Sequence, residues 1–152
     1  MKKLLLLFAF TLFLSSCGAT KYQSKEVSKV VDIPNQDQKE IYVKANNWMV
    51  SIFTDAESVI QFTDKESGTI TGKYRIGTLT MAERGVLPTY VFAILNIQCK
   101  DGKAKLKIIP ESFGYPPMYP YIRYTAEKLN RDLNILFKSF ENYMSAESDD
   151  DW

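Results

Sequence analysis

The 152-residue chain contains no histidine. That absence removes the Ser-His-Asp and Cys-His routes to an activated nucleophile, and it removes HExxH zinc sites and most zinc ligation. Cysteine is nearly as scarce, with two residues, Cys17 and Cys99. If Cys17 is modified, Cys99 is the sole free thiol and no internal disulfide framework can form. Cys99 reads as a small buried apolar residue in a strand rather than a reactive thiol. An excess of one charge is missing too, since 19 Lys and Arg stand against 18 Asp and Glu. Nothing in that balance asks for a nucleic-acid partner. The apolar run from Leu4 to Leu14 is also shorter than the roughly 20 residues a membrane-spanning helix needs. No motif for a cofactor is present, and none is expected.

What is present begins at the N-terminus. Met1-Lys2-Lys3 is a positive segment, Leu4–Leu14 an apolar one of signal-peptide length, and Leu14-Ser15-Ser16-Cys17 follows. The last four residues resemble the bacterial lipobox, in which an aliphatic residue and two small ones precede the cysteine to be acylated. A thiolate can take a diacylglyceryl group as a thioether, and small neighbours let a peptidase reach the backbone. On this reading residues 1–16 are a signal that is removed, and Cys17 carries two or three acyl chains into the membrane. One chain binds marginally, whereas each buried methylene adds about 0.8 kcal/mol, so several chains anchor stably. The alternative is an ordinary secretory signal in which Cys17 is incidental. Residues 18–25 contain no acid, which by resemblance to lipoprotein sorting rules points to the periplasmic side of the outer membrane.

Residues 17–28 read as a flexible tether, 29–146 as a single domain and 147–152 as an acidic tail. Within the domain, Lys29–Ile33 is a β-branched strand stopped by Pro34. Asp37 and Glu40 have the spacing of a capping box. Ile41, Ala45, Trp48, Met49, Ile52 and Phe53 then form an apolar stripe at helical period, ending near Thr54-Asp55. Strands are expected at 57–63 and 69–79, on either side of the turn Asp64–Gly68, with a loop over 80–87. The clearest hairpin joins Tyr90–Cys99 to Lys103–Ile109 through Asp101-Gly102, a favoured type I′ pair. Its register follows from polarity. With Lys100 facing Lys103, Cys99 meets Ala104, Ile97 meets Leu106 and Leu95 meets Ile108. Gln98 and Asn96 meet Lys105 and Lys107 on the other side. The final helix carries Ile122, Ala126, Leu129, Leu133, Leu136, Phe137, Phe140 and Met144 at steps of three and four. The order is β-α-β-β-β-β-α, an α+β domain with an antiparallel sheet of about five strands and both helices on one face.

Several segments together resemble a single family: Ile33-Pro34, Lys39–Tyr42, Ala45-Asn46, Trp48, Phe53, Ala56–Gln61, Asp64–Gly68, Ile70 and Gly72-Lys73. It is a family of bacterial envelope proteins of unknown function with a TATA-binding-protein-like fold. The resemblance spans about residues 30 to 110 and implies a curved antiparallel sheet backed by two helices. It brings no catalytic residues, and the fold name carries no implication of DNA binding.

Two candidate sites remain. On the sheet face away from the helices, Tyr90, Phe92, Ile94 and Ile109 make an apolar end, and Lys73, Arg75, Lys105 and Lys107 a basic one. Such a face could dock a partner protein or an amphiphile with an anionic head. It could instead be covered by the loop at 111–121 and guarded by its lysines against edge pairing. In that loop Phe113, Tyr115, Tyr119 and Tyr121 could stack on a ligand, or pack onto the domain as an Ω-type loop. Asp64 and Glu66 read as a solvated turn rather than an acid–base pair. Three functions follow: a lipid-anchored, non-catalytic module binding another envelope protein, a carrier of a small apolar or amphiphilic ligand, and an envelope enzyme. The first is the expectation.

Overall fold

The structure, a computed structural model, describes residues 20–22, 24–54, 58–80, 89–115 and 124–146. Cys17 and the signal segment, the 81–87 part of the expected loop, Tyr119, Tyr121 and the acidic tail lie outside the described residues.

The elements are β1 (Thr20–Tyr22), β2 (Val27–Asp32), α1 (Gln38–Ile52), β3 (Val59–Asp64), β4 (Thr69–Thr80), β5 (Thr89–Lys100), β6 (Lys103–Pro110), β7 (Phe113–Tyr115) and α2 (Ala126–Ser145). Five strands form one antiparallel sheet in the order β2-β6-β5-β4-β3, and β1 pairs with β7 apart from it. Both helices lie on one side of the sheet. α1 packs over β5 and β6, and α2 packs over β2 and β4 and against α1. The expected α+β architecture is the one observed.

Local chemistry starts α1 where the pattern places it and starts α2 at Ala126, after the Ile122 that opened the expected stripe. The capping box is complete: the Glu40 amide donates to Asp37 Oδ1 at 2.8 Å, and the Asp37 amide donates to Glu40 Oε2 at 3.2 Å. Thr125 Oγ1 accepts the Lys128 amide at the start of α2. Tyr124 and Leu129, both buried, occupy the two positions of a hydrophobic staple. The apolar stripes of the helices close onto the sheet. Trp48 of α1 meets Phe140 of α2 edge-on, centroids 4.9 Å apart, and its indole N–H donates to Ser139 Oγ at 3.2 Å. Each such side chain, removed fully from water, contributes about 1.5–3 kcal/mol.

The β5–β6 register is the expected one, pair by pair from Lys100–Lys103 to Leu95–Ile108. The turn itself is not type I′, which needs positive φ at both central residues. Gly102 has φ +74°, but Asp101 is not among the residues with positive φ. The N-terminal approach to α1 grips this turn. The Gln38 amide donates to Asp101 Oδ1, the Ile33 amide to the Gly102 carbonyl, and the Gly102 amide to the Gln36 carbonyl. Asp64–Gly68 turns as expected, with Asp64 Oδ1 accepting the Glu66 and Ser67 amides.

Part of the 17–28 stretch expected as a tether is strand. Thr20–Tyr22 is a strand paired with Phe113–Tyr115, and β2 enters the sheet at Val27 rather than Lys29. The segment has no hydrophobic periodicity to announce this, and a strand of three residues is too short to show one. Within the aromatic stretch at 111–121, expected as a loop, residues 113–115 are the strand β7.

Candidate functional site

Alternation along β4, β5 and β6 sends every second side chain away from the helices. On that open side Phe92 lies opposite Arg75, and Ile94 lies opposite both Lys73 and Ile109. Tyr90 and Phe92 meet edge-on at 6.5 Å. Each ring bears a cation: Lys73 Nζ sits 4.2 Å from the Phe92 centroid, and Arg75 Cζ 4.7 Å from that of Tyr90. An interaction of this kind is worth about 0.5–1 kcal/mol at an exposed site. Lys73 also pairs with Glu111 at 3.3 Å, and Lys107 pairs with Glu26 at 2.9 Å. Asn96 donates to Thr71 Oγ1 at 2.8 Å.

Three further apolar residues extend this face beyond the expected set. Val30 is 52% exposed on β2, and Val59 and Phe62 are exposed on β3, Phe62 at 53%. Strict alternation would put Phe62 on the same side as Ile60. A bulge between them breaks the register, so Ile60 packs against the core while Phe62 pairs with Thr71 on the open side.

The six aromatic candidates do not form one surface. Tyr90 and Phe92 lie on the open face. Phe113 is buried on the helix side, 5.6 Å from Tyr124 in a T-shaped contact, so it is withdrawn from any such surface. The reason is volume: Tyr124 sits over Gly77, where an added Cβ would come within 2.3 Å of its ring, and Phe113 packs beside it. The backbone of Tyr115 pairs with Thr20. Tyr119, Tyr121 and Cys17 fall outside the described residues.

The layer between sheet and helices, where a carrier would hold its ligand, is filled by Trp48, Tyr124, Phe140, Met49 and Leu129. Cys99 is in that layer. Burial pushes its thiol up to about 12, so it is protonated and inert at neutral pH. Burial, with the Asp132 carboxylate nearby, also pushes the Tyr124 phenol up. Asp64 is half-buried, and its hydrogen bonds from Ser67 hold its carboxyl below the usual range. A groove of about 920 Å³ between α1 and the end of α2 has mixed polar and apolar walls, and part of its polar lining is engaged within the fold. Asp37 and Glu40 are in the capping box, and Lys44 donates to the Ala146 carbonyl. Among the described residues no three His, Cys, Asp or Glu gather as a metal site, and no helix is long and apolar enough to cross a membrane.

Residues 28–112 match the model of a family described as a domain of unknown function (DUF4468) with TBP-like fold. The chain belongs to this family. The match runs from β2 through β6 and includes the whole open face. A crystal structure of a DUF4468 family protein from Bacteroides ovatus superposes with a TM-score of 0.55 at 18% identity, covering 82% of this chain and 88% of that one. A TBP-like protein from Parabacteroides distasonis gives 0.52 at 17% identity, covering 80% and 94%. At such identities the likeness speaks to the fold alone. No curated protein matches the chain.

Proposed function

We propose that this protein is a lipid-anchored, non-catalytic interaction module of the cell envelope. Acylated Cys17 holds it, in the periplasmic leaflet of the outer membrane, and the open face of its sheet binds an envelope component that is partly apolar and anionic. The observation that carries this reading is the double stack of Lys73 on Phe92 and Arg75 on Tyr90, on a sheet face that neither helix covers. Apolar rings capped by cations match a partner with both characters. A non-catalytic role is supported by a chain without histidine whose described cysteine is buried and protonated.

Two measurements test the reading. Intact mass and membrane fractionation of the parent and Cys17→Ala chains address the anchor. The parent is expected in the membrane fraction, shortened to Cys17 and acylated, and the variant is expected to lose the acyl mass. Photo-crosslinking from Ile94 on the open face and from Ile135 on α2, in intact cells, addresses the face. Adducts from Ile94 and none from Ile135 are expected. The reverse pattern would place binding on the helices and sink the proposal.

A further inference from the structure

We infer that the Tyr90–Phe92 end of the open face lies against the anionic headgroup layer of the membrane that holds Cys17. This inference rests on the anchored reading above and adds the orientation of the domain and the partner at one end of its sheet.

It starts from a length of chain. β1 begins at Thr20, three residues beyond Cys17. An extended chain advances at most about 3.6 Å per residue, so the domain is tied within roughly 10 Å of the acylated residue. β1 is paired with β7, and Ser24 Oγ donates to the Pro110 carbonyl at 2.7 Å, which fastens the segment after it to the end of β6. β5 alone, 12 residues long, extends about 40 Å. A tie shorter than the sheet keeps the end it is fastened to close to the acylated residue, while the far end is not so held.

The end that is tied down is the aromatic one. The Glu111 amide, two residues before β7, donates to the Phe92 carbonyl at 2.8 Å. Phe92 pairs with Arg75, and Tyr90 with Thr78. The opposite end is where the Asp101-Gly102 turn meets the start of α1. Ala146, which ends the described residues, lines the groove there with Asn35 and Asp37. Charge has the matching sense. On the open face at the anchored end the chain places Lys73 and Arg75, with Lys25 just before β2. Glu111 pairs with Lys73 there and Glu26 with Lys107 farther along β6, while Asp132 lies by Tyr124 on the helix side. Aromatic rings settle at headgroup depth, and lysine and arginine near an anionic leaflet are drawn to it. Ile94 and Ile109 lie between these residues. On α2, exposed Ile135 instead sits among Glu127, Asn130, Arg131 and Lys138, a surface of both signs.

The test uses the full acylated chain in vesicles of phosphatidylethanolamine and phosphatidylglycerol. Phe92→Cys, Ile109→Cys and Ile135→Cys are made singly and labelled with a nitroxide. Cys99 is buried and takes no label. Ile109→Cys leaves the ring stacks intact, so the test survives if Phe92→Cys folds poorly. Contact with an aqueous nickel chelate is expected to fall several-fold at positions 92 and 109, but not at 135, when vesicles are added. A Lys73→Glu, Arg75→Glu pair in the Ile109→Cys chain is expected to restore that contact. Acylated protein whose labels at 92 and 109 stay fully aqueous overturns the orientation while leaving the anchor standing. Shielding at 135 instead, or shielding that grows with protein-to-lipid ratio and so marks a second copy, overturns it as well. A membrane-bound chain with unmodified Cys17 removes the anchored reading and this inference together.

Discussion

The helix side and the open side of the sheet are made by the same strands and the same alternation, yet different forces hold them. On the helix side Ile70, Ala93, Leu95, Ile97, Leu106 and Ile108 are fully buried against Trp48, Met49 and Phe140. On the open side the neighbouring residues are half-exposed and joined by cation–ring contacts and ion pairs. Packing in the first layer depends on volume, which water cannot replace. Contacts in the second compete with water and salt at every moment. Substitutions on the helix side should therefore register in stability, and those on the open side in binding.

The comparison can be broken or sharpened by four measurements. Phe140→Ala is expected to have the largest effect, a loss of about 3–5 kcal/mol in urea unfolding, because the ring leaves a cavity beneath Trp48. A loss below 1 kcal/mol would mean the two sides are not so different. Gly77→Ala comes next, at about 1–3 kcal/mol, since its methyl would collide with Tyr124. Tyr124→Leu in the same chain should recover part of that loss if the ring is the cause. On the open side, Lys73→Ala should cost no more than about 1 kcal/mol. Its effect on stability should shrink further in high salt, while crosslinking from the face weakens. The smallest effect is none at all: native Cys99 should ignore a maleimide at neutral pH. A thiol held up near 12 is almost wholly protonated there, so its reaction should rise with pH, or on unfolding, and a fast neutral reaction would contradict its burial.

Several features of the site were legible in advance, for one shared reason. The alternation that paired Leu95 with Ile108 also put Tyr90, Phe92, Lys73 and Arg75 on one face, and short-range periodicity was enough for both. The turn at Asp101-Gly102 shows where this stops. Its location was legible but its type was not, because the backbone of the segment leading into α1 hydrogen-bonds to it from across the fold. Phe62 shows the same limit, since a bulge that reverses its side leaves no mark in hydrophobicity. For Phe113 two readings were open, a ring that stacks on a ligand or one that packs onto the domain. The space beside Tyr124 decided for packing, which no local pattern distinguishes.

Taken alone, the amino-acid order determined the two helices, the cap of α1, the β5–β6 pairing and the polarity of each sheet face, because these depend on residues a few positions apart. Tertiary structure decided that β2 closes beside β6, with Val27 opposite Ile108, and that β1 pairs with β7. It also decided which end of the sheet lies beside β1. Those outcomes join segments about 70 to 95 residues apart, where loop-closure entropy must be repaid by contacts that no local pattern encodes.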